Sequence, residues 1–149
     1  MIIGVISDIH GTLSHKAYEA LLGVDHIICA GDIENPQVLF ELESIAPTTC
    51  VLGNCDRFYD PSIPFIATPH LEGVRFRVCH RPEDIGLLDT DTSVVVHGHT
   101  HIPRNQLLNG VHFINPGSAS YPRGGSPKSI AKITLDNRSV QRVDFIALD

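Results

Sequence analysis

The sequence has no apolar stretch approaching the ~20 residues of a membrane span, so no transmembrane helix is expected. It has no run of Lys or Arg and a formal net charge of -6, which argues against broad electrostatic binding to nucleic acid. None of its four cysteines, Cys29, Cys50, Cys55 and Cys79, forms a C-x-x-C pair, which argues against a structural zinc ribbon. Internal repeats, linkers and low-complexity tracts are also missing. The apolar start has no basic segment ahead of it and is broken at Asp8, so it reads as a buried strand and not as a signal peptide. Without secretion signals, a reducing, cytoplasmic setting is expected. Three of the thiols fall in apolar runs, where free Cys packs as a small hydrophobe.

What is present suits one compact domain spanning residues 1–149. A chain of this size buries roughly 68–70% of its unfolded surface, so it needs neither a disulfide nor a structural metal to fold. Residues 2–7, 26–30 and 48–52 read as buried strands. They alternate with helices at 14–22, where Ser14 is a cap, and from Pro36 to about Ile45. This β-α-β-α-β order implies parallel strands with right-handed crossovers. The second half differs. Residues 74–79 alternate apolar and polar as a half-buried strand does, a short helix is expected near Pro82, and 93–97 is another buried strand. Asn109-Gly110 marks a hairpin, and strands at 129–135 and 139–146 meet around Asp136-Asn137. Two packed sheets flanked by helices accommodate both halves, an α/β class, and 120–128 is a surface loop.

The composition holds nine histidines, and His97, His99 and His101 fall within five residues of one another. The expected buried strands run into Asp8-Ile9-His10, Gly31-Asp32, Gly53-Asn54, His80 and Gly98-His99-Thr100-His101. Sites in open α/β sheets form beyond the carboxyl ends of strands. Asp8 and His10 are two apart, as are His99 and His101, so an extended chain would point each pair the same way. The glycines before Asp32, Asn54 and His99 permit tight turns and close approach. Two Asp, four His and one Asn form a mixed O/N donor set that suits Mn, Fe, Zn, Ni or Co better than calcium. Seven donors exceed one tetrahedral zinc and match two ions sharing a carboxylate and a bridging water. Metals ~3.5–4 Å apart clamp the attacking and leaving oxygens of a phosphoryl displacement.

Taken together, Asp8-x-His10, Gly31-Asp32, Gly53-Asn54-x-Asp56, His80 and Gly98-His99-x-His101 resemble the five ordered motifs of the calcineurin-like metallophosphoesterases. The small prokaryotic phosphodiesterase branch is similar in its Gly-Asn-Cys-Asp at 53–56 and its Ile-Asn-Pro-Gly-Ser at 114–118. The resemblance implies a four-layer αββα sandwich of two mixed sheets. It further implies a divalent-metal-dependent phosphodiesterase that attacks with a hydroxide held between two metals. Asp8, His10 and His101 would hold one ion, Asn54, His80 and His99 the other, and Asp32 would bridge. Mn is the first choice of metal, with Ni, Fe, Zn or Co as alternatives. A small phosphate ester is the expected partner, and self-association is left open.

Two positions depart from the family pattern. Cys55 stands where many members carry a His that, paired with the following Asp, assists the transition state. Here that leaves Cys55 and Asp56 as candidate helpers, Asp56 alternatively orienting a ligand or capping a turn. General-acid help of that kind is worth ~10²–10⁴ in rate, so good leaving groups should be favoured. Arg81-Pro82 follows His80 where many members have Gly-His. Arg81 is then either a phosphate contact or a solvated surface residue. His97 falls outside the family motif and reads as a structural or supporting residue, and Ser118 as a turn or pocket residue. The alternatives to a diesterase are a phosphomonoesterase, a nucleotide pyrophosphatase, or a non-catalytic scaffold like the retromer subunit of similar fold.

Overall fold

The computed structural model describes residues 1–57 and 60–149. The first half is β1 (Ile2–Ile6), α1 (His15–Leu21), β2 (His26–Cys29), α2 (Pro36–Glu43) and β3 (Thr48–Cys50). Ser14 caps α1 by accepting from the Ala17 amide at 3.1 Å, and Asn35 caps α2 from the Gln37 amide at 3.0 Å, with Pro36 in the first turn. The three strands are parallel neighbours, as the crossovers require.

The second half supplies β4 (Ile66–Ala67), β5 (His70–Leu71), β6 (Val74–Cys79), β7 (Thr92–Val96), β8 (Arg104–Leu108), β9 (Val111–Asn115), β10 (Ser129–Asp136) and β11 (Ser139–Ala147). The hairpin turns at Asn109-Gly110 and Asn137-Arg138 place all four residues at positive φ, as a primed turn does. β10 and β11 return to the first sheet, giving the order β11-β10-β1-β2-β3. The second sheet runs β4-β6-β7-β9-β8. Both sheets are mixed, and β6, β7 and β9 are parallel.

Strand alternation sorts the side chains into two cores. Ile3, Val5, Ile28 and Ala30 face Val74, Phe76, Val78, Val94, Val96 and Ile114 between the sheets. Ile6, Ile27 and Cys29 face the helices through Ala17, Leu21, Val38 and Leu42. The fourth layer is thin. The helix expected near Pro82 is a single 3-10 turn, Pro82–Asp84. Its loop covers the outer face of the second sheet, where the Arg77 guanidinium donates to the Ile85 carbonyl and Arg75 meets Asp91 at 2.8 Å. The loop therefore half-buries the polar face of β6. Among the described residues, no helix is long and apolar enough to cross a membrane.

Phe76 is fully buried between the sheets, whereas Phe40 on α2 is 74% exposed. Phe76→Ala should cost about 3–5 kcal/mol of stability and Phe40→Ala no more than about 0.5 kcal/mol. Urea unfolding midpoints in chelator would measure both.

Candidate metal centre

The carboxyl ends of β1, β2 and β3 in one sheet and of β6 and β7 in the other open onto the same rim. The loops beyond them are stitched across. The Asp8 amide donates to Gly31 O (3.0 Å), the His10 amide to Asp32 O (2.9 Å) and the Gly98 amide to His80 O (2.9 Å). The chain does not leave the strands extended. Asp8, His10, Asp32, His99 and His101 have φ of 53, 53, 55, 73 and 61°, in the left-handed region. The expectation that extended chain aligns Asp8 with His10 and His99 with His101 is thereby corrected. Asp8 and His10 do converge, but through left-handed turns, and the second pair divides. His101 turns toward Asp8 and His10. His99 turns toward Asn54, its Nδ1 lying 3.1 Å from Asn54 Oδ1. Such conformations cost about 1–2 kcal/mol each and persist only where neighbours over-determine them.

Two glycines make room for this crowding. A Cβ on Gly98 would collide with Ser7 Oγ and Asp8 Oδ2, and one on Gly53 with Asp32 Oδ1 and the Asp32 amide.

The carboxylates form the floor. Asp8 is wholly buried and Asp32 is 2% exposed. Each has one oxygen tied down and one directed at the imidazoles. Asp8 Oδ2 accepts from Ser7 Oγ (2.8 Å) and the His99 amide (3.0 Å), leaving Oδ1 at 3.2 Å from His101 Nε2 and 3.6 Å from His80 Nε2. Asp32 Oδ1 accepts from the Cys55 amide (2.8 Å), leaving Oδ2 at 3.1 Å from His80 Nε2 and 3.9 Å from His10 Nε2. Burial would raise the Asp32 pKa, but His80 and the Cys55 amide outweigh it and hold the carboxyl at about 2. For His80, burial acts to lower the pKa, and Asp32 and Asp8 override it in the upward direction.

The imidazoles are oriented from behind. His80 Nδ1 is 2.7 Å from the Ala30 carbonyl, His10 Nδ1 is 2.9 Å from Glu34 Oε2, and His101 Nδ1 meets the Tyr121 carbonyl. An Nδ1–H donated to an oxygen leaves Nε2 as the lone-pair donor, the arrangement that ligating histidines adopt. The Nε2 atoms of His10 and His101 lie 3.3 Å apart, and those of His80 and Asp8 Oδ1 lack any hydrogen-bond partner while buried. Such orphaned groups are costly in a protein interior, and a bound cation would satisfy them. Among the described residues, three groups of side chains lie close enough to hold a metal: Asp8, His10 and His101; Asp8, Asp32 and His80; His10, Asp32 and Cys55. The donors present therefore fit divalent cations. Asn54 is exposed at the mouth, next to His99, whose ring packs edge-on to His80 at 5.3 Å.

Asp56 accepts from the amides of Asp32 (2.9 Å), Gly53 (2.7 Å) and Glu34 (2.7 Å), so its carboxylate positions the two ligand loops. Cys55 is half-buried, and its thiol pKa is raised by burial and by Asp32. Arg81 is 43% exposed and sits 3.5 Å from Asp84 and 3.6 Å from Glu83. His97 is a buried neutral group. Its Nδ1–H donates to the Gly98 carbonyl (3.0 Å) while Nε2 accepts from Arg104 (3.1 Å), and burial lowers its pKa. Ser118 donates to the Asp8 carbonyl (2.8 Å) and holds that turn. The roles of Glu34, of the Ala30 and Tyr121 carbonyls and of the Ser7 hydroxyl escaped sequence reasoning. Only Glu34, an acid two residues past Asp32, left any signal there.

Residues 1–138 match the family model of the calcineurin-like phosphoesterase superfamily domain. The chain belongs to that superfamily. It is 33% identical to a probable metallophosphoesterase of Methanothermobacter thermautotrophicus, over 94% of this chain and 89% of the relative. It is 31% identical to the phosphodiesterase YfcE of Escherichia coli, over 90% and 88%. The solved YfcE structure superposes with a TM-score of 0.73 over the whole of both chains, at 26% identity. Vps29 of Entamoeba histolytica, solved with zinc, superposes at 0.77 but with 17% identity, a likeness of fold alone. The fold is thus the αββα sandwich of this superfamily.

Adding Mn²⁺ at ~100 times its dissociation constant to chelator-treated protein should raise Tm by roughly 5–10 °C, and His80→Ala should lose most of that rise. The raised His80 pKa sets the sign of the accompanying proton flux. Uptake should release more protons at about pH 6, where the imidazole is protonated, than at about pH 8. Calorimetry in buffers of different ionisation enthalpy would measure it.

Proposed function

We propose that this protein is a metal-dependent phosphoric ester hydrolase acting on phosphodiesters. The observation that carries this reading is the pair of buried carboxylates, Asp8 and Asp32, each with a free oxygen facing the Nε2 atoms of His80 and of His10 or His101. Membership of a phosphoesterase superfamily, with a phosphodiesterase among the relatives, supports it. In this reading Asp8, His10 and His101 hold one divalent cation, Asn54, His80 and His99 hold the second, and Asp32 is shared. When bound, such ions supply a hydroxide from water near neutral pH and neutralise charge on the non-bridging phosphoryl oxygens. Mn²⁺ suits the mixed oxygen and nitrogen set, as do Ni, Fe, Zn and Co.

The protein's own contribution is preorganisation. Asp32 remains ionised at any working pH because its pKa is held at about 2. The Ala30 and Tyr121 carbonyls and Glu34 fix which nitrogen of each imidazole faces inward. Asp56 ties the Asp32 and Gly53 loops together, so that the donors hold their spacing as substrate binds. The Cys55 thiol, its pKa raised by burial, is a weak proton source, so the leaving alkoxide takes its proton from water. Esters with stable leaving groups turn over best under that limit. The buried thiols of Cys29, Cys50 and Cys79 support a reducing, cytoplasmic setting for this chemistry.

Bis(4-nitrophenyl) phosphate should be hydrolysed with Mn²⁺, faster than 4-nitrophenyl phosphate, and not after chelation. Asp32→Asn should lower kcat/KM by more than about a hundredfold and reduce bound metal, measured by elemental analysis alongside rates. Full metal content and full rate in that variant would refute the shared-carboxylate reading. A metal-loaded protein without turnover would favour a scaffold role.

A further inference from the structure

Beside the ligand cluster lies a cleft of ≈ 370 Å³ whose walls include Leu52, Phe65, Ile66, Cys79, Arg81 and Asp84. It shares Asn54 and His80 with the cluster, so it opens directly beside those candidate ligands. Its volume falls in the range of small-molecule sites, ~300–1,000 Å³. The wall is apolar on one side. Phe65 is 69% exposed and Ile66 40% exposed, held out to solvent on the segment that leads into β4 and its edge of the second sheet. An exposed Phe alone signifies little, and Phe40 on α2 is another. Phe65 differs in lining a concavity that is continuous with candidate ligands. Cys79 adds to the apolar lining.

Charge narrows the occupant. Among the described lining residues Arg81 is the one Lys or Arg, and it is compensated by Asp84 at 3.5 Å and Glu83 at 3.6 Å. The cleft therefore offers little net attraction to a second phosphate, and the Asp84 carboxylate at its edge would repel one. A flat uncharged group gains from the Phe65 face and from release of water off Ile66.

We infer that this cleft is the subsite for one ester arm of the substrate, and that the arm it takes is an uncharged planar aromatic group, a nucleobase or an aryl ring. The inference deepens the phosphodiester reading and rests on it, since only a diester carries an arm on each side of the phosphorus.

Binding of phenylphosphonate and methylphosphonate to the Mn²⁺-loaded protein, followed by calorimetry, tests it without turnover. Phenylphosphonate should bind about tenfold more tightly. Phe65→Ala should bring the ratio of affinities near one, and Phe65→Tyr should keep it. In kinetics, Phe65→Ala should raise KM for bis(4-nitrophenyl) phosphate about tenfold and leave kcat within about twofold. Equal binding of the two phosphonates by the wild-type protein, or a preference that survives Phe65→Ala, overturns the subsite while leaving diester hydrolysis standing. No diester turnover by the wild-type protein with any metal would remove the phosphodiesterase reading and this subsite together.

Discussion

Burial of two carboxylates side by side is the constraint on which the rest of this site depends. Asp8 and Asp32 lie beneath the rim with almost no exposure, and water cannot solvate them there. A buried charge is tolerated only when hydrogen bonds and an opposite charge replace its hydration. The protein provides the first from its own backbone and from Ser7. Only half of each carboxylate is satisfied that way, and the other oxygen points among imidazoles. His80 shows the tension most plainly. Burial disfavours its charge, and the two carboxylates restore it. A protonated His80 would then stand in for a cation, and a divalent ion held there would displace that proton.

Holding the donors in register requires backbone that an ordinary strand end would not adopt. Five of the seven candidate ligands occupy the left-handed region. At about 1–2 kcal/mol each, their combined strain is on the order of the net stability of a small domain. It survives because both sheets contribute. The Asp8 loop is pinned by Gly31 and Ser118, and the His99 loop by Asp8 itself and by Asn115, which donates to the Gly98 carbonyl at 3.1 Å. Neither sheet could form the site without the other. The interleaved core between them, with Phe76 at its centre, is thus part of the functional apparatus and not only its support.

The convergence of the candidate donors was legible in the sequence because chain direction and strand period fix where a strand ends, and each apolar run stopped at a donor. The β-α-β-α-β order, the cap at Ser14 and the Asn109-Gly110 hairpin are similarly local properties. What the sequence left hidden depends on distant contacts. The left-handed turns at Asp8 and His99 arise from cross-loop hydrogen bonds, so spacing by two suggested extended chain instead. The oriented imidazoles rely on main-chain carbonyls of Ala30 and Tyr121, which carry no residue signature. β4 and β5 have two residues each, too short for any periodicity. The helix expected at Pro82 shrinks to one 3-10 turn because the loop after it is held down by Arg75 and Arg77 rather than by an apolar face.

Two features of the site, independent of each other, favour one kind of substrate. Cys55 sits where many family members carry a histidine that would assist departure, and burial, followed by the nearby Asp32 charge, raises its thiol pKa. An ester with a strongly basic leaving alkoxide would gain little from it, whereas an alkoxide stabilised by conjugation needs little help. The cleft formed by Phe65 and Ile66 has no connection to that acid–base argument, yet its shape and compensated charge select a flat, uncharged arm. A conjugated ring satisfies both conditions at once. Under the proposed reading, selectivity in so open a site would come from leaving-group chemistry at the metals and from one apolar wall beside them.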